Sequence, residues 1–391
     1  MGSANINSTE LGERLRVTRE SHGFTQAAIA GRMELARTTL LAIEKGTRRI
    51  KNDELRRLAS IYETSVNELL RRESVHIDLV PRFRSLRTTE DLATTKAAQT
   101  LTNFVRAEVE LESLLGIERS RNYPPERPLM FGDVQSQAES DAMELRQWLG
   151  LGMSRAVDLV AMLELDMGVR LYICPLDSKI SGLFAFDDSS GACMLLNANH
   201  PPERRRQSIA HELGHFIATR RSPEVLLLDK NERSREERYA NAFGRTFLTP
   251  ARAVQQQFQR ITAGSSRLTR RHIILLAFTF GVSREAIVRR LEELGLTKSG
   301  TWDWFESNGG ISNAQARQVL DGIVDVEPET RSSVPSQSIR LNALAAEAWR
   351  QGLASEGQLA RLLRVDRITF REMIDTLDIE GGVDVSPKFP R

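Results

Sequence analysis

The stretch SIAHELGHFIATR, residues 208–220, places two histidines four residues apart, with a glutamate directly after the first. On an α-helix this spacing puts His211 and His215 on one face, one turn apart. Two imidazoles in that arrangement can bind a single zinc ion, and Glu212 would reach a water molecule at the metal. The chain holds six histidines, so chance produces the pattern in well under about one such chain in a hundred. A third ligand is still needed to distinguish a metal site from an ordinary buried helix.

A candidate third ligand lies downstream in EERYANAFGRTFLTP, residues 236–250. Glu236 and Glu237 compete for the role, because neighbouring residues on a helix point about 100° apart and cannot both face one ion. Only Glu237 shares a face with Asn241, whose side-chain oxygen could accept the second N–H of a ligand histidine. The pattern E-x-x-A-N is also the form seen where a second helix delivers a glutamate to zinc. The predicted ligands are therefore His211, His215 and Glu237, with Asn241 behind them.

Together, HELGH and ExxANAF resemble the ImmA/IrrE family of metallopeptidase-like proteins over about residues 149–250. The resemblance implies an α+β, zincin-like domain, which we place at residues 135–300, with one Zn²⁺ per chain and a gluzincin-like ligand set. It implies metal-assisted peptide hydrolysis in which Glu212 is the catalytic residue that moves a proton from water to the leaving amine. The strand-like segment before the helix, ACMLLNAN at 192–199, could pair with an extended substrate by strand addition. Candidate oxyanion donors are His200, Tyr239 and His272.

Near the N-terminus, TQAAIAGRMELARTTLLAIEKG, residues 25–46, predicts two short helices joined by a tight turn. Small Ala30 lets the helices cross closely, and Leu40 and Ile43 supply the core beneath the second one. This pattern resembles the Xre/Cro-type helix-turn-helix family across roughly sixty residues, and we place the all-α domain at residues 10–72. The resemblance implies that the second helix enters the major groove of DNA. The groove-facing candidates are Arg37, Thr38 and Ala42, and the candidates near phosphates are Gln26, Thr39, Lys45, Thr47 and Arg48.

Two residues depart from the helix-turn-helix pattern. The turn carries Glu34 where glycine is usual, so Glu34 should adopt a less favourable backbone shape. The second helix begins at Ala36 without the usual hydroxyl cap, which should cost about 1 kcal/mol of helix stability. A small helical bundle used for protein contacts is the alternative to DNA binding.

The rest of the chain reads as mostly helical, so the predicted fold is mainly α with a small β-sheet. Residues 73–134 form a predicted helical connector that ends in the proline-rich stretch NYPPERPLMFGD. The segment TFGVSREAIVRRLEELGL, residues 279–296, resembles the helical cap that follows such peptidase domains. Its VS turn is similar to a DNA-reading unit, and a helical bundle used for interactions is the alternative. Residues 301–391 form a predicted helical C-terminal module that binds a partner or a second copy of the chain.

The net charge, the cysteines and the apolar runs indicate where in the cell the protein acts and how it could contact DNA. The net charge of the 391 residues is only +2, so any DNA contact must come from a local basic patch. The two cysteines, Cys174 and Cys193, are not spaced as a metal knuckle or redox pair, which fits a reducing cytoplasm. Apolar runs such as IILLAF at 273–278 are far shorter than a membrane span, and no secretory signal opens the chain. We therefore expect a cytoplasmic protein without a membrane partner.

The order of the two domains resembles bacterial and phage regulators that combine both parts. Three functions remain open. The first is a transcriptional regulator whose zinc endopeptidase domain cleaves a repressor, a partner or itself. The second is an antitoxin that represses its own operon and binds a cognate toxin. The third is a stand-alone cytosolic metalloprotease. The expected partners are a double-stranded DNA operator, a protein substrate or toxin, and a second copy of the chain.

Overall fold

The computed structural model describes residues 8–62, 64, 69, 79, 92–156, 158–220, 224–227, 234–321 and 338–377. The chain divides into two compact units, Met1–Asp78 and Leu79–Arg391. Most of the described residues are helical and one small sheet lies in the second unit, which confirms the predicted fold class. The domain boundaries drawn from the sequence stay predictions. Among the described residues, no helix combines the length and apolar character needed to cross a membrane.

The first unit contains four described helices: α1 (Ser8–Ser21), α2 (Gln26–Met33), α3 (Arg37–Glu44) and α4 (Asn52–Ile61). Their apolar residues at helical spacing meet in one core, whose fully or almost fully buried members include Leu15, Ile29, Met33, Leu40, Ile43, Leu58 and Tyr62. A buried ion pair joins α1 to α3, with Arg19 Nε 2.7 Å from Glu44 Oε1. Helix α3 is thereby held with its opposite face available to solvent.

The turn between α2 and α3 has the conformation that the sequence predicted. Glu34 lies in the left-handed region at φ 56° and ψ 37°, and its N–H caps the carbonyl groups of Ala30 and Gly31. Ala36 begins α3 without a side-chain hydrogen bond to the helix. Both expected departures are confirmed, and both cost stability, since a left-handed non-glycine residue is unfavourable by about 1–2 kcal/mol.

The elements of the second unit follow one another in chain order: α5 (Leu92–Leu115), α6 (Val134–Trp148), α7 (Leu159–Ala161) running into a π-helical turn (Met162–Asp166), β1 (Arg170–Cys174), β2 (Ile180–Asp187), β3 (Gly191–Asn197), α8 (Pro202–Ala218), β4 (Glu224–Leu227), α9 (Arg235–Leu248), α10 (Ala251–Ile261), α11 (Arg270–Phe280), α12 (Arg284–Glu293), α13 (Thr301–Ser307), α14 (Asn313–Leu320), α15 (Ile339–Arg350), α16 (Glu356–Leu363) and α17 (Arg367–Leu377).

The sheet has the strand order β1-β3-β2-β4. Strand β3 runs parallel to β1 and antiparallel to β2, and β2 runs antiparallel to β4. Because β3 is hydrogen-bonded on both sides, an extended peptide cannot add to it. The prediction of strand addition at 192–199 is therefore wrong, and the edges of the described sheet belong to β1 and β4.

Both faces of the sheet are covered by helices. On one face, Phe184 of β2 packs edge-on against Phe216 of α8, with ring centroids 5.8 Å apart. On the other face, Tyr172 of β1 stacks on Phe104 of α5 at 5.2 Å. Strands β1 and β3 are buried along their whole length. Helix α5, which the sequence placed in a connector, is thus a structural layer of the second unit.

Helix α15 is anchored to this unit by a buried carboxylate. Glu164, on the π-helical turn, accepts hydrogen bonds from the backbone N–H groups of Ile339 at 3.0 Å and Arg340 at 2.9 Å, and from the Ser338 hydroxyl. A carboxylate at a helix N-terminus satisfies N–H groups that have no partner within the helix. Since α15 also packs on α5, the C-terminal helices belong to the same unit as the sheet.

Candidate functional site

Helix α8 carries the two histidines. It begins with Pro202 in its first turn, a position that lacks a helical N–H partner and so tolerates proline. Its second half, residues 208–217, is buried at every position. The two histidine rings are consequently held away from bulk water, between the sheet on one side and helix α9 on the other.

Helices α8 and α9 cross at a distance that only small residues permit. A Cβ atom on Gly214 would lie 2.8 Å from the Cα of Ala240, closer than real Cβ atoms come. A Cβ on Gly244 would lie 3.0 Å from the backbone of Ala210 and His211. The glycine that is unfavourable in the middle of α8 is therefore explained by close packing, and the same packing brings α9 to the histidines.

The crossing gathers three metal-ligating side chains. His211 Nε2 lies 3.1 Å from His215 Nε2. Glu237 places Oε2 at 3.5 Å from His211 Nε2 and Oε1 at 3.9 Å from His215 Nε2. Tetrahedral zinc with bonds of about 2.0–2.1 Å separates its ligand atoms by about 3.3 Å. All three residues are buried, and they form a group that could hold a metal ion.

Two further side chains orient the histidines. Asn241 Oδ1 lies 2.9 Å from His211 Nδ1, the geometry in which Nδ1–H donates to the amide oxygen and Nε2 is left with a free lone pair. Thr219 Oγ1 lies 3.4 Å from His215 Nδ1. The sequence indicated Asn241 but missed Thr219, which its position four residues after His215, directly after the end of α8, could have suggested.

The two neighbouring glutamates have different environments. Glu237 is 7% exposed and faces the histidines. Glu236 is exposed, and hydrogen bonds from its own backbone N–H and from Ser234 lower its pKa. Glu212 is fully buried on α8, directly after His211. The structure thus brings Glu237 and not Glu236 to the pair of histidines.

Two candidate oxyanion donors are engaged elsewhere. Tyr239 donates its hydroxyl to Asp141 Oδ2 at 2.8 Å, on helix α6. His272 caps the start of α11, where its Nδ1 accepts from the Thr269 N–H at 3.2 Å. The cysteines are unsuited to nucleophilic chemistry, since burial raises the pKa of Cys193 to about 11 and thiols react as thiolates.

The predicted DNA-contacting residues differ in their availability. Arg37, Thr38, Lys45 and Thr47 are exposed, while Thr39, Ala42, Gln26 and Arg48 are partly buried. Two of them are engaged within the unit: Gln26 Nε2 donates to Glu44 Oε2 at 2.9 Å, and Arg48 Nη2 donates to Glu54 Oε1 at 2.8 Å. Of the three groove-facing candidates, Arg37 and Thr38 in the first turn of α3 are therefore exposed, and Ala42 is partly buried.

Two family models match separate parts of the chain. Residues 10–71 match a helix-turn-helix domain. Residues 165–292 match a peptidase M78 model described as the IrrE N-terminal-like domain. The chain joins a helix-turn-helix domain to an ImmA/IrrE-family domain. This confirms the fusion that the sequence predicted, and the His211–His215–Glu237 group lies inside the second match.

One solved structure with detectable similarity is the crystal structure of ComR from Streptococcus suis. The similarity covers 95% of this chain and 94% of that chain, at 10% identity and a TM-score of 0.16. A search of the curated proteins finds no match. The domain assignments therefore rest on the two family models and on the geometry of the site.

We predict that Gly214→Ala separates α8 from α9. The added methyl group meets the backbone of α9, and overpacking of this kind costs about 1–3 kcal/mol. Zinc affinity should fall as well, because Glu237 moves away from the histidines. Chemical denaturation and zinc titration of the full chain measure the two effects. Gly31→Ala is the control: a Cβ there meets nothing within 4 Å, so that variant should keep zinc affinity and gain helix stability. Unchanged stability and affinity in Gly214→Ala would contradict the packing account.

We predict that Glu237→Ala loses most bound zinc and that Glu236→Ala does not. The first change removes one of three ligands, whereas the second removes a carboxylate near the helix surface, which contributes little. Zinc content after dialysis against a mild chelator, measured for both variants in parallel, tests this. Loss of zinc from Glu236→Ala, with Glu237→Ala intact, would reverse the assignment.

Proposed function

We propose that this protein is a DNA-binding transcriptional regulator whose ImmA/IrrE-family domain is a zinc-dependent endopeptidase. The observation that supports the peptidase role best is the buried group of His211, His215 and Glu237, with Asn241 fixing one ring. One Zn²⁺ per chain fits the number and chemistry of these ligands. The substrate is a protein, either a repressor, a partner or another copy of the chain.

The residues of this chain account for the proton transfer that peptide hydrolysis needs. A bound zinc ion would supply Lewis acidity toward the scissile carbonyl and the attacking water. Glu212 follows a ligand histidine on the same helix. We assign it the role of accepting a proton from the attacking water and donating it to the departing amine. Asn241 and Thr219 hold the imidazoles in place, so little reorganisation is required when substrate binds.

The sheet indicates where an extended peptide would lie. Of the two edges, β4 contacts helix α8, which carries the histidines. A peptide that pairs with β4 through main-chain hydrogen bonds would run beside that helix. Such pairing requires an extended segment of substrate, so we expect cleavage in a flexible stretch and not within a folded domain.

The DNA half of the proposal depends on the first turn of α3. Arg37 can pair bidentately with guanine, and the methyl group of Thr38 can contact thymine. Lys45, also exposed, supplies positive charge for phosphates. The expected ligand is a double-stranded operator, bound by a homodimer, because paired half-sites are the usual target of this motif.

We predict that Glu212→Gln keeps bound zinc and loses peptide cleavage by about 10²–10⁴-fold, the usual contribution of a general base. A proteome-derived peptide library incubated with zinc-loaded full chain, followed by mass spectrometry, measures cleavage without a known substrate. Glu236→Gln is the matched control and should cleave like the wild type. Full cleavage by Glu212→Gln would remove Glu212 from this role. Absence of cleavage by the wild type, with zinc bound, would contradict the peptidase proposal and favour the antitoxin function.

We predict that Arg37→Ala relaxes sequence preference, at a cost of about 1–3 kcal/mol on the preferred site. Lys45→Ala should weaken binding to all sequences alike and reduce the salt slope by about 1, because it removes one phosphate contact. Titration of specific and random duplexes at several salt concentrations separates the two. If Arg37→Ala leaves the ratio of the affinities for specific and random duplexes unchanged, the proposed base contact by Arg37 is wrong.

A further inference from the structure

Helices α16 and α17 repeat the backbone of α2 and α3. Glu34, at φ 56°, and Arg364, at φ 59°, are the two non-glycine residues with positive φ in the part of the chain that the structure describes. Each directly follows an eight-residue helix, and each is followed after two residues by a second helix. We call α16 and α17 the C-terminal helix pair.

The turns also share their hydrogen bonds. Leu35 N donates to Ala30 O at 2.9 Å, and Val365 N donates to Ala360 O at 2.9 Å. Counted from the left-handed residue, the buried side chains occupy the same positions in both pairs. The matched residues are Ile29 and Leu359, Ala30 and Ala360, Met33 and Leu363, Leu40 and Phe370, and Ile43 and Met373. The C-terminal helix pair is therefore a second helix-turn-helix by conformation and by core.

A third pair of helices, α11 and α12, has the same kind of turn, but its second helix is covered by neighbouring helices. It has Gly281 at φ 63° in the turn. Its second helix is engaged by the helices that follow, since Arg284 Nη1 donates to Ser312 O at 3.1 Å and Arg289 Nη2 to Asp303 Oδ1 at 2.7 Å. The first turn of α12 thus contacts the N-terminal end of α14, and its second turn contacts α13. That pair is structural.

The second helix of the C-terminal pair presents its first turns to solvent. Arg367 is exposed, Ile368 is 70% exposed, and Arg371 has a side chain that is 67% exposed. Arg367 stands at the position of Arg37, and Thr369 at that of Thr39. The base-edge candidate Arg37 and the phosphate candidate Thr39 of the first unit thus recur at the same places, whereas Ile368 stands where the first unit has Thr38.

We propose that the C-terminal helix pair is a second DNA-contacting unit, in which Arg367 and Ile368 meet base edges in the major groove. An arginine at the start of the second helix can pair bidentately with guanine, and an apolar side chain beside it can contact the methyl group of thymine. This proposal is independent of the peptidase activity and of the contact made by Arg37.

The charge of the pair determines what the contact contributes. Asp366 accepts from the N–H groups of Ile368 and Thr369 at 2.8 and 2.9 Å, so its charge is used to cap α17. Glu356 is paired with Arg371 at 3.0 Å. Glu372 is exposed on α17 and repels phosphates. The contact should therefore add sequence preference and little general affinity for DNA.

The test compares the duplexes that full-length variants enrich from a random-sequence DNA pool. The wild type should enrich sites with two separate blocks of preferred bases. Arg367→Ala should erase one block and lower affinity for the enriched site about tenfold, whereas Arg37→Ala should erase the other. Arg361→Ala is the matched control, since Arg361 is an exposed arginine that lies on α16, outside the helix proposed to meet base edges, and donates to Gly357 O.

Arg367→Lys distinguishes loss of the base contact from a folding defect, because lysine keeps the positive charge but cannot pair bidentately with guanine. It should lose the same block as Arg367→Ala while its melting temperature stays that of the wild type. The proposal is overturned if Arg367→Ala enriches the wild-type site with affinity unchanged within twofold. It is also overturned if Arg367→Ala and Arg361→Ala behave alike, or if Arg367→Ala changes only self-association in sedimentation. Loss of both blocks in Arg37→Ala alone would likewise assign all DNA reading to the first unit.

Discussion

The close crossing of α8 and α9 is the constraint on which the site depends. Gly214 and Gly244 have no side chain that would keep the two helices apart, and the side chain of Ala240 at the contact is a single methyl group. Helix backbones at this distance allow Glu237 to reach the histidines of α8 while remaining buried. The same approach lets Asn241, one turn further along α9, reach the far side of the His211 ring. The close packing of α8 on α9 therefore determines both which side chains reach the histidines and how the His211 ring is oriented.

The layers around the sheet hold α8 in place for that crossing. One face of the sheet packs on α8 and the other on α5, so neither face can shift without exposing large apolar side chains to water. Buried ion pairs reinforce the second layer: Arg170 lies 2.7 Å from Glu112 of α5, and Arg340 lies 3.2 Å from the same carboxylate. Since breaking one partner of a buried pair leaves an uncompensated charge, this network specifies one arrangement of α5, β1 and α15.

Much of the site followed from local spacing in the sequence, because helical periodicity alone relates residues three and four positions apart. The pairing of His211 with His215, and of Glu237 with Asn241, is of this kind. The left-handed Glu34 was predictable for a similar reason, since the turn requires that conformation whatever residue occupies it. The features that could not be predicted from the sequence depend on contacts between residues far apart along the chain. Strand order is fixed by pairing across long separations, so β3 was wrongly expected to be free. The partners of Gln26 and Arg48, and the role of α5, depend on the same kind of contact.

Anomalous diffraction at the zinc edge, from crystals of the full chain grown with zinc, tests the central claim most directly. Our account predicts one strong peak per chain, about 2.0–2.2 Å from His211 Nε2, His215 Nε2 and a carboxylate oxygen of Glu237. It also predicts that Asn241 keeps its contact with His211 Nδ1. A peak bound through Glu236, or zinc in the crystal with none between α8 and α9, would contradict it.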